Sequence, residues 1–254
     1  MKTPRMYING FPKSGLHLAE RMVVSMFNPV RSDYNWWGTN AWSTTRHNLE
    51  EAATLAVIQP GQYLHGHTGW LQSIEEMFRG LEIGMVLVYR DFRDVVVSQA
   101  HHILSDSDKL NHPARELYPD DLQAVMKTVI TGIDKYDGIF ERWETFAPWL
   151  EKDFVFPVTY RELLRKPQRA AKRFLEYCLG IAYGEEVMID KELKNNLTEH
   201  MVGMLKQRES ATFRKGKTGT WKEEFTPEIT ELFKAHDTKN VIVGLGFEKD
   251  NNWQ

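Results

Sequence analysis

Eight consecutive residues, Gly10-Phe11-Pro12-Lys13-Ser14-Gly15-Leu16-His17, restrict the fold of this chain more than any other stretch. They follow a short apolar run, Met6–Asn9, and precede Leu18, Met22, Val23 and Met26, which recur at helical spacing until Asn28-Pro29. Strand, glycine-framed loop and helix in that order make an anion-binding turn, because backbone N–H groups converge at the positive end of the helix. The glycines keep the spacing of the loop G-x-x-x-x-G-K-[ST], whose lysine reaches the β- and γ-phosphates and whose hydroxyl holds Mg²⁺. Here Leu16 and His17 take those two places, and Lys13 lies inside the loop. The sequence therefore predicts an anion site charged by Lys13, with no obligatory metal and no metal-ligand set. Taken alone, Pro12–Gly15 also reads as a plain turn between strand and helix.

Further strands are predicted at Gln62–Leu64, at the nearly continuous apolar run Gly84–Tyr89 and at Phe154–Thr159. Helices are predicted over Asp91–Leu104, from an Asp120/Gln123 cap to about Phe146 with breaks near Gly132 and Gly138, and over 160–178, 185–194 and 197–206. Ser73 and Glu76 suggest a capping box for a segment ending at Phe78, and Thr226-Pro227 starts a last helix running to about His236. Residues 31–60 show only weak periodicity, and 105–119 reads as a polar loop. Strands alternating with helices predict an α/β fold, a single domain over residues 1–254 with a mainly parallel central sheet flanked by helices and a P-loop-like nucleotide-binding core. In such sheets ligands sit past the carboxyl ends of the strands, where both Gly10–Gly15 and Arg90 fall.

A net charge of −3 over 254 residues gives no whole-chain bias toward nucleic acid or a membrane surface, so an anion site has to be a local gathering of Lys and Arg. The single cysteine, Cys178, excludes an intramolecular disulfide framework and suits a reducing compartment. Met1–Arg5 runs into the first strand without an apolar signal core, and no stretch approaches the roughly 18 apolar residues of a membrane span. A cytoplasmic location is expected.

Two later segments, Val88–Ser98 (VYRDFRDVVVS) and Phe213–Lys222 (FRKGKTGTWK), stand in a fixed order behind the loop. Together with Phe11-Pro12-Lys13-Ser14-Gly15 they resemble the three signatures of the soluble sulfotransferases, whose donor is 3′-phosphoadenosine 5′-phosphosulfate (PAPS). The resemblance implies a PAPS-dependent sulfotransferase releasing the 3′,5′-bisphosphate. It implies that Lys13 assists the leaving oxygen, and that Pro12, Ser14, Gly15, Leu16 and His17 surround the 5′-phosphate. Arg90 and Ser98, eight residues apart, would hold the 3′-phosphate with Arg214, Lys215 and Gly216. A guanidinium suits that task because its planar fork donates two parallel hydrogen bonds to phosphate. The family has Thr-Thr-Trp after the second glycine where this chain has Leu16-His17-Leu18, so two hydroxyl donors and an adenine-stacking ring are missing. Tyr160 resembles a tyrosine near the adenine, and Thr220 with Glu223 could cap the helix that follows the third signature.

His67, twenty-three residues before Arg90, matches the spacing of the family's catalytic base. An imidazole near its ordinary pKa accepts a proton from a hydroxyl or amine, a role typically worth about 10²–10⁴-fold. Read locally, His65-Gly66-His67 is more often polar surface, with a metal pair the lesser reading, and no acidic or thiol cluster accompanies it. Likewise Arg90, Asp91, Arg93 and Asp94 alone read as a solvated charge cluster, with Arg93 and Asp94 as structural charges. Arg214–Gly216 alone reads as an exposed basic loop. Met201 and Met204 read as core, and Tyr34, Trp36, Trp37 and Trp42 either wall an apolar acceptor pocket or pack in the core. The acceptor implied is a small molecule or glycan. Two competitors share the strand, loop and helix: a P-loop phosphotransferase for a small molecule, and a non-catalytic module that keeps the nucleotide pocket.

Overall fold

The computed structural model describes residues 4–27, 30–31, 58–105, 112–184, 190–206 and 216–254. They fall into two compact units, one built from the described residues up to Tyr89 and from Phe146 to Gly216, the other from Arg90 to Thr145 and from Lys217 to Gln254.

The first unit carries the sheet. Strands β1 (Arg5–Gly10), β2 (Val30–Arg31), β3 (Gln62–Gly66), β4 (Ile83–Tyr89) and β5 (Val155–Thr159) lie in the order β2-β3-β1-β4-β5, and every pairing is parallel. β1 and β4 are central, with Met6, Ile8, Val86 and Val88 wholly buried. Each such side chain contributes about 1.5–3 kcal/mol, which is why a strand covered on both faces reads as an unbroken apolar run. Helix α1 (Leu16–Phe27) lays Ala19, Met22 and Val23 on this core. Helix α9 (Lys191–Lys206) adds Met201, Val202 and Leu205, so Met201 is core as expected.

Helix α2 (Gln72–Gly80) begins without the predicted capping box. Its N-cap is Leu71, Ser73 lies in the first turn, and the Glu76 carboxylate receives Gln72 Nε2 at 2.9 Å instead of reaching back. The stretch 160–178 is two helices, α7 (Tyr160–Arg165) and α8 (Pro167–Tyr183), because the residue before a proline is pushed out of helical geometry: Lys166 has φ −134° and ψ 49°. Conversely, α9 runs unbroken through residues 195–196, where a gap was expected. From α8, Tyr177 Oη lies 2.6 Å from the carbonyl of Phe154 and 3.0 Å from that of Met85, joining the starts of β5 and β4. A short 3₁₀ helix, Ala147–Glu151, precedes β5.

The second unit is helical: α3 (Phe92–Leu104), α4 (Pro113–Leu117), α5 (Leu122–Thr131), α6 (Ile139–Phe146, its last residue in the first unit), α10 (Trp221–Glu224), α11 (Pro227–His236) and α12 (Val241–Gly244). The breaks expected near Gly132 and Gly138 are there: Gly132 has φ 78° and caps α5, and Gly138 N–H donates to Glu141 at the start of α6. The cap of α5 is Asp121, bonded to Ala124 N–H at 2.9 Å, not Asp120; Gln123 donates instead to the Glu224 carbonyl. Thr226 caps α11 as expected. Helix α4, inside the predicted loop 105–119, is capped by His112, whose Nδ1 accepts from Ala114 N–H at 3.0 Å. Arg93, 1% exposed, lies between the rings of Trp221 and Trp253 and pairs with Asp91 and Glu248.

Candidate active site

The loop leaves β1 at Gly10. Phe11 N–H donates to the Val88 carbonyl of β4, and Ser14 N–H donates back to the Phe11 carbonyl at 3.0 Å, which closes the turn. Lys13 has φ 64° and Gly15 φ 91°, a left-handed backbone that a lysine adopts only under constraint. Gly15 is required twice over, since a Cβ there would stand 2.4 Å from the ring of Tyr160. Tyr160 is thus buried against the loop, the first residue of α7. Among the described residues, the amides of Gly15, Leu16 and His17 donate no backbone hydrogen bond, while Leu18 and Ala19 N–H both donate to the Gly15 carbonyl. Ser14 Oγ is buried and has no partner among the described residues. Unbonded donors at the start of a three-turn helix, beside a buried hydroxyl, are what a phosphate group would satisfy.

His67 is tied to the same loop. Its Nδ1 lies 2.5 Å from the Gly10 carbonyl oxygen. A carbonyl only accepts, so Nδ1 carries the proton and Nε2 keeps its lone pair. Burial holds the imidazolium form down, to a pKa of about 4, with the nearby charges of His65, Lys13 and His17 adding to it and the Gly10 bond opposing. The ring is therefore a neutral base at neutral pH. The next residue, Thr68, is held at every polar atom: its N–H donates to Asn9 Oδ1, its carbonyl accepts from Asn9 Nδ2 and Trp149 Nε1, and its hydroxyl meets Tyr7 Oη at 2.6 Å. Asn9, Thr68 and Trp149 went unread in the sequence, because the partners stand 59 or more residues apart.

His17, expected at the phosphate, directs Nδ1 to Glu20 Oε2 at 3.1 Å. His65 Nδ1 lies 3.2 Å from Glu20 Oε1, which also receives the Tyr63 hydroxyl at 2.9 Å. Burial raises the Glu20 pKa, but its bonds to the two histidines and Tyr63 outweigh that and hold the carboxyl well below the usual range.

In the second unit Arg90 donates to the Lys217 carbonyl at 2.8 Å and lies 3.3 Å from Asp94. Asp94 is 1% exposed and accepts from Gly219 N–H, Thr220 Oγ1 and Trp221 N–H. Thr220 therefore gives its hydroxyl to Asp94 and does not cap α10. Asp94 is a structural charge, as read, and it joins the second and third sequence segments; 125 residues separate it from Gly219. Ser98 lies one turn further along α3, half-buried. Gly216 has φ 58°. Arg214 and Lys215 lie outside the described residues, as do Tyr34, Trp36, Trp37 and Trp42.

A profile of the sulfotransferase domain matches residues 3–241, nearly the whole chain. The chain belongs to the sulfotransferase domain family. Among characterised members, sulfotransferase 1A1 of Bos taurus is 26% identical over 171 residues, covering 63% of this chain and 55% of that protein. Sulfotransferase 1E1 of Cavia porcellus is 28% identical over 165 residues, covering 60% and 52%. The chain thus spans about half the length of the curated sulfotransferases it matches. Among solved structures, mouse sulfotransferase SULT7A1 complexed with PAP superposes with a TM-score of 0.65 at 14% identity, covering 93% of this chain and 84% of that one. Retinol dehydratase, in complex with androsterone and the inactive cofactor PAP, gives 0.61 at 14% identity, covering 100% and 83%. At that identity the sulfotransferase fold is what is shared. No helix among the described residues is long and apolar enough to cross a membrane.

Proposed function

We propose that this member of the family, with residues 1–254 serving as one domain, transfers a sulfuryl group from PAPS to a hydroxyl or amine of a small-molecule or glycan acceptor. The observation that carries this reading is the hydrogen bond from His67 Nδ1–H to the Gly10 carbonyl, which ties a base with a fixed Nε2 lone pair to the anion-binding loop itself. Support for the donor comes from the loop's unbonded amides and the partnerless Ser14 Oγ, all donors, as a phosphate requires.

The donor supplies the activated S–O bond. His67 Nε2 takes the proton as the acceptor oxygen or nitrogen forms its bond to sulfur. Lys13 neutralises the charge that grows on the phosphate oxygen as the old S–O bond breaks. Ser14 and the amides of Gly15, Leu16 and His17 hold the 5′-phosphate, with Pro12 shaping the turn and Tyr160 packed against it. Arg90, Ser98, Arg214, Lys215 and Gly216 hold the 3′-phosphate. A small-molecule acceptor agrees with the androsterone and retinol held by the dehydratase neighbours. A cytoplasmic location fits this reading.

The test pairs binding with turnover. Calorimetry with the 3′,5′-bisphosphate and with ATP, both in excess chelator, should give binding of the bisphosphate alone. PAPS incubated with a panel of phenols, alcohols, amines and sugars should then yield a sulfated product. Magnesium-dependent ATP binding without bisphosphate binding would move the chain to the phosphotransferases; bisphosphate binding without turnover on any acceptor would leave a nucleotide-binding relative.

A further inference from the structure

Three side chains beside the loop form a cluster that sulfuryl transfer does not use. His17 comes from the first turn of α1, Glu20 from its second turn, and His65 from the end of β3. One donor atom from each, an imidazole nitrogen of His17, a Glu20 carboxylate oxygen and an imidazole nitrogen of His65, lies within 4.8 Å of the others. The two imidazole-to-carboxylate separations are 3.1 and 3.2 Å. Ligand atoms about 2.0–2.2 Å from a tetrahedral zinc ion stand roughly 3.3–3.6 Å apart, and here each carboxylate oxygen already lies near that distance from one imidazole, Oε2 from His17 and Oε1 from His65. Tyr63 donates to the carboxylate at 2.9 Å, the kind of outer bond that orients a metal-binding carboxylate.

We propose that His17, Glu20 and His65 form a binding site for a divalent transition-metal ion of the zinc type, with at least one coordination position left for water or an anion. Two imidazoles and one carboxylate match the donor preference of Zn²⁺, Co²⁺ and Ni²⁺ and disfavour Mg²⁺ and Ca²⁺, which take oxygen donors. The local sequence around His65 holds no acid, which is why no metal is expected from it; α1 brings the acid from forty-five residues earlier. On binding, the ion takes the place of the proton that His17 Nδ1 donates to Glu20, which passes to solvent, so the hydrogen-bonded pair and the metal site are alternative states of one cluster. The fixed histidine of the proposed base, His67, is no part of it.

The full chain, stripped with chelator, is titrated with Zn²⁺ by calorimetry and with Co²⁺ by visible absorption. One ion per chain is expected, with cobalt d–d bands of nitrogen and oxygen donors and no thiolate charge-transfer band, since Cys178 is buried. His17→Ala, whose side chain is half exposed, should keep the melting temperature of the metal-free protein while losing affinity by more than about a hundredfold. Glu20→Gln should do the same to affinity, and Tyr63→Phe should weaken it by about 10–100-fold. His236→Ala, an exposed histidine of α11, should leave it unchanged. Absence of cobalt bands in the parent chain, or zinc affinity unaltered by His17→Ala and Glu20→Gln, would overturn the proposal. The readout is metal uptake without donor, so failure here leaves the sulfuryl-transfer reading standing.

Discussion

Replacing His67 with alanine removes the Nε2 lone pair but leaves the loop amides in place. Transfer should therefore fall by about 10²–10⁴-fold while bisphosphate affinity, read by calorimetry, stays within about threefold. Gly15→Ala is the complementary change, because it forces a side chain into a left-handed backbone against the Tyr160 ring. It should cost about 1–3 kcal/mol in a urea melt and weaken bisphosphate binding markedly. His112 sets a pH limit. Its folded pKa is lowered to about 4, by burial first and then by the charges of Arg142 and His102. A depressed histidine contributes stability that is complete above its unfolded pKa, near 6.5, and is lost as pH falls toward 4. Stability should drop by roughly 2–3 kcal/mol across that window, and His112→Asn, which keeps the cap on Ala114, should flatten the dependence. The turn that holds Lys13 was legible from the spacing of its glycines, whereas His67 stood out only through its family-like distance from Arg90. Asn9 and Thr68 were not legible, since an amide and a hydroxyl acquire meaning only from partners far along the chain; Asp94 reads as a structural charge, but its bonds to residues 219–221 do not show in the sequence.

Asp94 of helix α3 gathers three hydrogen bonds from residues 219–221, beside the contact of Arg93 with the Trp221 ring. Asp94→Asn removes the charge facing Arg90 and at least one of the acceptors for Gly219 N–H, Thr220 Oγ1 and Trp221 N–H. Amide exchange of residues 219–221 should speed up by at least about tenfold, and the fold should lose about 2–4 kcal/mol. Unchanged exchange would show that other contacts hold the segment. At this scale β1, β3, β4, β5 and the longer helices were readable from the sequence pattern, whereas their ends and the two-residue strand β2 were not. Asp120 and Asp121 are indistinguishable as caps until Gln123 is seen bonded to the Glu224 carbonyl, and the split at Lys166 follows from Pro167, a local rule that the expected single helix over 160–178 passed over.

Alternating strands and helices foretold a parallel sheet, yet not the order β2-β3-β1-β4-β5, because apolar runs buried on both faces are interchangeable until their registers are known. Nor does composition mark the two units, each assembled from separated stretches of chain. The Tyr177 hydroxyl meets the carbonyls of Met85, in the first half of β4, and of Phe154, just before β5, whereas the anion loop hangs from the finish of β1. Tyr177→Phe should lower the thermal midpoint by an amount equal to about 1–2 kcal/mol and leave bisphosphate affinity as it was. Robustness and reactivity are thus adjusted from opposite rims of one sheet, and a lineage could grow hardier or frailer by drift at the first without disturbing the second.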